Sequence, residues 1–309
     1  MVYFIIVRIT RSAITILVVF SAVFFATRLT GNTLDFMFPD GLDPTVRAEL
    51  TAYFGLNGSP LEQYLKFWRG IFEGNMGISL YEFRPVTEIY AERIPNTLKL
   101  FLSAFVFSII IGIPLGILSA VKRGSSLATS IMGITFLGYA TPNFILAIFL
   151  ILLFSFKLHW FPSSGQDSWV HFVMPVIALG FAMMAATVRF TRSAMLEIMG
   201  ADYIRTAYAK GLSERQVIGK HALRNASIPI VSVLGLQVAG FVSAVVLVEA
   251  VFALRGIGDL VVVSAIRRDY PVLQYGVMVW AVVVTAVSLA VDLIYSIIDP
   301  RIRVVSSHE

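Results

Sequence analysis

Cysteine is absent from this 309-residue chain, which excludes disulfides, thiolate nucleophiles and thiolate-held metals together and leaves the redox compartment unread. Charge is scarce: Asp, Glu, Lys and Arg make up 14% of the residues, against about a quarter in a soluble globular domain. Histidine occurs four times, at His159, His171, His221 and His308, and no pair has the four-residue spacing of a zinc-binding helix. No G-x-S-x-G elbow is present. The phosphate cradle G-x-x-x-x-G-K-[ST] is missing too: Gly219-Lys220 is followed by His221, and Glu214 stands where the first glycine belongs. The chain is therefore expected to bind no metal and no cofactor, and to leave any nucleotide hydrolysis to another polypeptide.

What fills the chain instead is apolar sequence, 57% of all residues, with a mean hydropathy of +0.81. A membrane-spanning helix needs about 20 mainly apolar residues. Six windows come near or meet that length: Ala13–Arg28, Thr97–Val121, Ser130–Phe156, Phe172–Phe190, Ala226–Phe252 and Val272–Ile298. Arg8 and Arg11 before the first resemble a signal-peptide n-region, but no small-x-small cleavage site follows, so an uncleaved anchor is expected. The net charge of +5 does not point to nucleic acid, because the basic residues lie between apolar runs rather than on one soluble face.

Loop charges orient the spans. Arg8 and Arg11, Lys122 and Arg123, the junction after the fourth window, and Arg301 and Arg303 fall on one side. That fourth junction carries Arg189, Arg192, Arg205, Lys210, Arg215, Lys220 and Arg224 against Glu197, Asp202 and Glu214. Positive loops mark the cytoplasm, so both termini are expected there. The segment from Asp35 to Arg93 is acidic and belongs outside, where "SPLEQYLKFWRGIF" has helical apolar spacing at Leu61, Tyr64, Leu65, Trp68 and Phe72. Its short amphipathic helices are expected either to cap the bundle or to dock an external partner. Trp160, Phe161 and Trp169 suit an aromatic belt at a membrane boundary.

The stretch "RTAYAKGLSERQVIGKHALRNA", Arg205–Ala226, is polar, basic and helix-forming inside this apolar chain. A first short helix over about Ala201–Lys210 should close at Gly211, a residue free to adopt the left-handed conformation. Ser213 followed by Gln216 reads as a capping box opening a second helix, with Val217, Ile218 and Leu223 facing inward, Arg215, Lys220 and Arg224 facing water, and Pro229 near the start of the fifth span. Topology alone requires positive charge here, but not a capped helix–turn–helix; such a knob suits a partner's groove.

"ADYIRTAYAKGLSERQVIGKHALRNASIPIV" resembles the cytoplasmic EAA-type loop of permease subunits in the dipeptide/oligopeptide/nickel family of ABC importers. "TFLGYATPNFILAIFLILLFSFKLHWFPSSG", "VLVEAVFALRGIGDLVVVSAIRRDYPVLQ" and "DLIYSIIDPRIR" extend the resemblance over nearly the whole chain. Arg205 stands where the wider class has an acidic residue, as in the peptide subgroup. The resemblance implies an all-α, six-span, type I importer permease in the cytoplasmic membrane, pairing with a second, similar permease, two ATP-binding subunits that use ATP and Mg²⁺, and an external substrate-binding protein. It implies residues 1–96 as anchor helix plus external segment, 97–300 as the permease core with a coupling loop at about 193–225, and 301–309 as a cytoplasmic tail. It also implies that Tyr203, Arg205, Thr206, Ala207, Lys210, Gly211, Leu212 and Ser213 couple to the ATPase. Peptides, nickel chelates, opines and glutathione are all substrates of similar permeases.

Two intramembrane carboxylates remain. Glu249 at the outer end of the fifth span and Asp292 in the sixth each either line the translocation path or serve locally in packing or pairing. "GIPLG", Gly112–Gly116, has the spacing that lets membrane helices approach closely, and Pro114 and Pro142 should kink their spans. An intramembrane hydrolase using Asp292 or a membrane serine is the competing class, and a non-enzymatic assembly factor a third; neither accounts for the capped insert.

Overall fold

The computed structural model describes the backbone of residues 2–29, 31 and 33–298; the side chains of residues 2–5, 239, 242, 243 and 290–298 lie outside that description. Among the described residues the chain is helical, without a named strand. It divides into two compact units, one built mainly from residues 98–254 and the other from residues 2–97 and 255–286.

The first unit holds most of α5 (Val86–Val121), then α6 (Ser126–Ala140), α7 (Asn143–Leu150), α8 (Val170–Met199), α9 (Asp202–Ala209), α10 (Glu214–Gln216) and α11 (Leu223–Val251). Its centre is α8, which packs on α6, α7 and α11 and on α5 along a seam of small residues. A Cβ added to Gly112 would come within 2.8 Å of Thr187, and one added to Gly116 within 2.5 Å of Thr191 and 2.9 Å of the Val188 carbonyl. Both contacts carry the same 75-residue offset (112 with 187, 116 with 191), and Gly180 meets Ala104 and Phe107. Residue numbers rise together on both helices, so α5 and α8 run parallel. The expected small-residue packing of "GIPLG" is what the structure contains.

Helix α11 runs the other way along α8. The Gly165 N–H, ahead of α8, donates to the carbonyl of Phe252 at the end of α11, and Gln237 Nε2 donates to Thr187 Oγ1 midway at 3.0 Å. The far ends meet in a cluster that includes Met195, Val217, Ala222, Ala226 and Ile230.

The third apolar window is not one rod. Helix α6 and the pair α7 plus its π-helical continuation Ile151–Lys157 meet at 103°. Pro142 has no N–H to continue α6 and drives the preceding residue out of the helical region; Thr141 sits at φ −90°, ψ 119°. Across Pro114, by contrast, α5 continues as an unbroken helix. By length and composition, 6–29, 86–121, 170–199 and 270–289 can each cross a membrane, as can the bent pair if it forms one span.

The second unit contains α1 (Val2–Leu29), α2 (Thr33–Met37), α3 (Pro44–Tyr53), α4 (Pro60–Phe72), the start of α5, α12 (Ile257–Arg267) and most of α13 (Tyr270–Ile298). The capping box of Ser59 and Glu62 starts α4, whose Tyr64, Phe67 and Trp68 close over Phe20 and Phe24 of α1. Leu61, Leu65 and Phe72, expected on the same apolar face, are exposed instead. Only one side of α4 meets α1, and helical spacing alone does not say which.

Asp269 ties this unit together: its carboxylate accepts from Ser79 Oγ at 2.6 Å and the Leu80 N–H at 3.2 Å. Burial pushes its carboxyl above its ordinary value while these hydrogen bonds pull it down. Tyr90 Oη donates to the Val272 carbonyl at 2.8 Å, and Thr97 Oγ1 accepts the Ile257 N–H that opens α12.

The seam gives a direct test. Gly116→Leu must push the α5 and α8 backbones apart and is expected to cost about 2 kcal/mol or more. Gly133→Leu, on α6 with nothing within 4 Å of its added Cβ, should be neutral or slightly stabilising. Thermal unfolding of the detergent-solubilised chain, followed by circular dichroism, compares the two; equal effects would contradict the seam.

Candidate coupling site

The insert after α8 is a folded element with two unlike faces. Helix α8 ends at Gly200, and α9 follows with Ile204 (1% exposed) and Ala207 (6%) turned inward. They join Ala120, Ala194, Met195, Val217, Ala222, Ala226 and Ile230 in one core cluster, with Leu212 packed at its edge. Five of these nine residues are alanine, so the helices approach closely without large side chains to reorganise.

Closure of α9 follows the expected logic. Gly211 stands at φ +79°, a left-handed conformation costly for residues with a Cβ. The Leu212 N–H reaches back to the Ala207 carbonyl and the Gly211 N–H to that of Tyr208, satisfying carbonyls the helix end leaves free. Ser213 then opens α10: its N–H donates to Gln216 Oε1 at 3.1 Å and its hydroxyl to the same oxygen at 3.0 Å. Through the π-helical turn Val217–Ala222 the chain continues into α11 without a break, so Pro229 lies inside a longer helix than expected. Val217, Ile218 and Leu223 are buried or half-buried, and Arg215, Lys220 and Arg224 are exposed, as the sequence pattern indicates.

Of the eight candidate coupling residues, six form the outward face: Tyr203, Arg205, Thr206, Lys210, Gly211 and Ser213 are all exposed. Ala207 and Leu212 point into the chain's own cluster, so the small size of Ala207 serves internal packing. Among the described residues Arg205 forms an ion pair with Asp202 alone, at 3.7 Å, and its side chain is 80% exposed; such a pair contributes at most about 1 kcal/mol and leaves the guanidinium free to exchange partners. Asn225 Nδ2 donates to Tyr203 Oη at 3.0 Å and to the His221 carbonyl at 2.9 Å, pinning α9 to the start of α11. Nothing in the residue pattern announces that link.

The other candidates lie apart from this face. Glu249 is buried near the end of α11. The side chain of Asp292 lies outside the described residues, as does the tail 301–309. No group of three or more His, Asp or Glu side chains able to hold a metal occurs among the described residues.

The family described as binding-protein-dependent transport system inner membrane component matches residues 112–304. The dipeptide transport system permease protein DppB of Escherichia coli K12 is 38% identical over 85% of this chain and 87% of its own length. The oligopeptide transport system permease protein AppB of Bacillus subtilis is 37% identical, covering 88% and 90%. The glutathione transport system permease protein GsiC of Salmonella paratyphi A is 37% identical, covering 94% and 95%. A chain of the inward-facing MetNI methionine ABC transporter superposes with a TM-score of 0.59 at 21% identity, covering 69% of this chain and 97% of that one.

Because nothing lies within 4 Å of a Cβ added at Gly211, substitution there probes backbone strain alone. Gly211→Val should cost about 1–2 kcal/mol locally, and Gly211→Asn less. Hydrogen exchange over residues 203–213 is expected to quicken about fivefold or more in the valine variant, with α5 and α8 unchanged; unaltered exchange would contradict the closure described.

Proposed function

The chain belongs to the binding-protein-dependent transport system inner membrane components, and on that premise we propose that it is the permease subunit of an ATP-driven importer of peptides or related small solutes. It pairs with a second, similar permease, two ATP-binding subunits and an external substrate-binding protein. ATP and Mg²⁺ are used by the ATP-binding subunits; this chain catalyses nothing.

Six spans with both termini inside accommodate the architecture. If α5 and α8, which run parallel, both cross the bilayer, residues 122–169 return across it, a crossing that the bent pair supplies as one broken span, and antiparallel α11 returns once more. Helices α1 and α13 supply the remaining two by apolar length. Residues 1–96 then form the anchor and external segment, and 97–300 the permease core.

The observation that carries the reading is the two-faced insert: an exposed outer face for an ATP-binding subunit and a close-packed inner face continuous with α8 and α11. Packed interiors deform little, so displacement of α9 moves the ends of both helices together. Closure of the ATP-binding pair drives the spans between inward-open and outward-open states, a domain-closure switch. Tyr203, Arg205, Thr206, Lys210, Gly211 and Ser213 offer the contact, with Arg205 and Lys210 able to make charge-assisted hydrogen bonds.

The absence of native cysteine makes the test specific. Lys210→Cys in the assembled complex should crosslink to an ATP-binding subunit and react with membrane-impermeant thiol reagents only from the cytoplasmic side. Gly211→Pro should insert normally yet lose ATP-driven uptake by about tenfold or more. Crosslinks that never reach a nucleotide-hydrolysing protein, or labelling from outside, would overturn the reading.

A further inference from the structure

Ala104 and Phe107 of α5 lie against Gly180 of α8, and beside that contact the two helices and the loop before α8 line a cavity of about 610 Å³, within the range of roughly 300–1,000 Å³ typical of small-molecule sites. Lys99, Ser103 and Phe107 line it at the four-residue spacing of one α5 face, and Phe172 and Val176 line it from α8. Asp167, in the loop before α8, also borders it. Lys99 and Asp167 belong near the outer end of both helices, and Phe107 and Val176 deeper.

Helix α5 carries Glu88, Glu92 and Arg93 toward its start and Lys99 beyond them. Lys99 and Ser103 are exposed, and a lysine at this depth faces water, a partner or the membrane interface and not hydrocarbon. Neither Lys99 nor Asp167 forms an ion pair with another described residue. These two opposite charges, both exposed, border one pocket whose lining is mostly apolar apart from Ser103, Gln166 and Ser168. That arrangement complements a solute with an ammonium and a carboxylate joined by a partly apolar body.

We propose that this cavity is a binding station for a water-soluble zwitterionic solute, with Lys99 holding its carboxylate and Asp167 its ammonium by charge-assisted hydrogen bonds. The station rests on the transport reading and adds to it the chemistry of the cargo. Dipeptides, longer peptides and glutathione, the cargoes in the relatives' names, all share that pair of groups. A zwitterionic lipid headgroup shares them as well, and the experiment separates the two sources.

Ser103→Cys gives the chain a single thiol inside the cavity. The assembled complex carrying it is reconstituted in phosphatidylcholine vesicles and, separately, in vesicles with phosphatidylethanolamine, and its reaction with methanethiosulfonate ethylsulfonate is timed. We expect reaction in both, slowed about threefold or more by millimolar dialanine but not by N-acetyl-dialanine amide. Lys99→Gln in the same background should abolish that protection and Lys99→Arg keep it. No reaction, no protection, protection that survives Lys99→Gln, or blockage by phosphatidylethanolamine with no effect of dialanine would each overturn the station. ATP-driven uptake by the same vesicles reports on the transport reading alone: protection without uptake removes the transport function and leaves the binding site standing.

Discussion

The alanine-lined contact between α9 and the ends of α8 and α11 is the constraint on which the rest of the molecule depends. Ala194, Ala207, Ala222 and Ala226 bring three helical segments close enough for Ile204 and Met195 to fill the space between them. The insert is thereby part of the core and not a loop resting on it. Its charged outer face can be pulled or pushed without being separated from the bundle.

The same economy of side-chain size operates deeper in the bundle. Gly112, Gly116 and Gly180 close the α5–α8 seam, and Lys99, Ser103 and Phe107 of α5 with Phe172 and Val176 of α8 line a pocket beside its outer part. A tight seam toward one end and a pocket bordered by charge toward the other follow from where the small residues stand. Lipid provides little drive for helices to associate, so close packing of small residues must provide it. The unit can therefore be rigid where α9 acts on it and open where a solute would enter.

Much of this was legible in the residues. Gly211 and the Ser213–Gln216 pair announce a closed helix and a capped restart, the apolar spacing from Leu61 to Phe72 announces α4, and the spacing of Gly112 and Gly116 announces a helix contact. Lys99, a lysine within a 36-residue helix, was visible as a charge but not as part of a site, because Asp167 lies 68 positions away. Pro142 marks a disruption, yet its 103° angle depends on how α6 and α7 pack against α8. Periodicity could not say that Ala207 turns inward while Thr206 turns outward, nor which stripe of α4 meets α1. Those outcomes depend on neighbours distant in sequence. The continuous run from α10 into α11 was hidden by Pro229, which normally signals a helix start.

The measurement that goes most directly to the central claim is the number of solute molecules moved per ATP hydrolysed in vesicles carrying the Ile204→Ala complex. That substitution removes bulk from the inner contact and leaves every exposed residue of α9 in place, so ATP-binding subunits should still assemble and hydrolyse ATP. If the packed contact transmits motion, hydrolysis continues while solutes carried per ATP fall several-fold. An unchanged ratio, with the complex intact, would contradict the account.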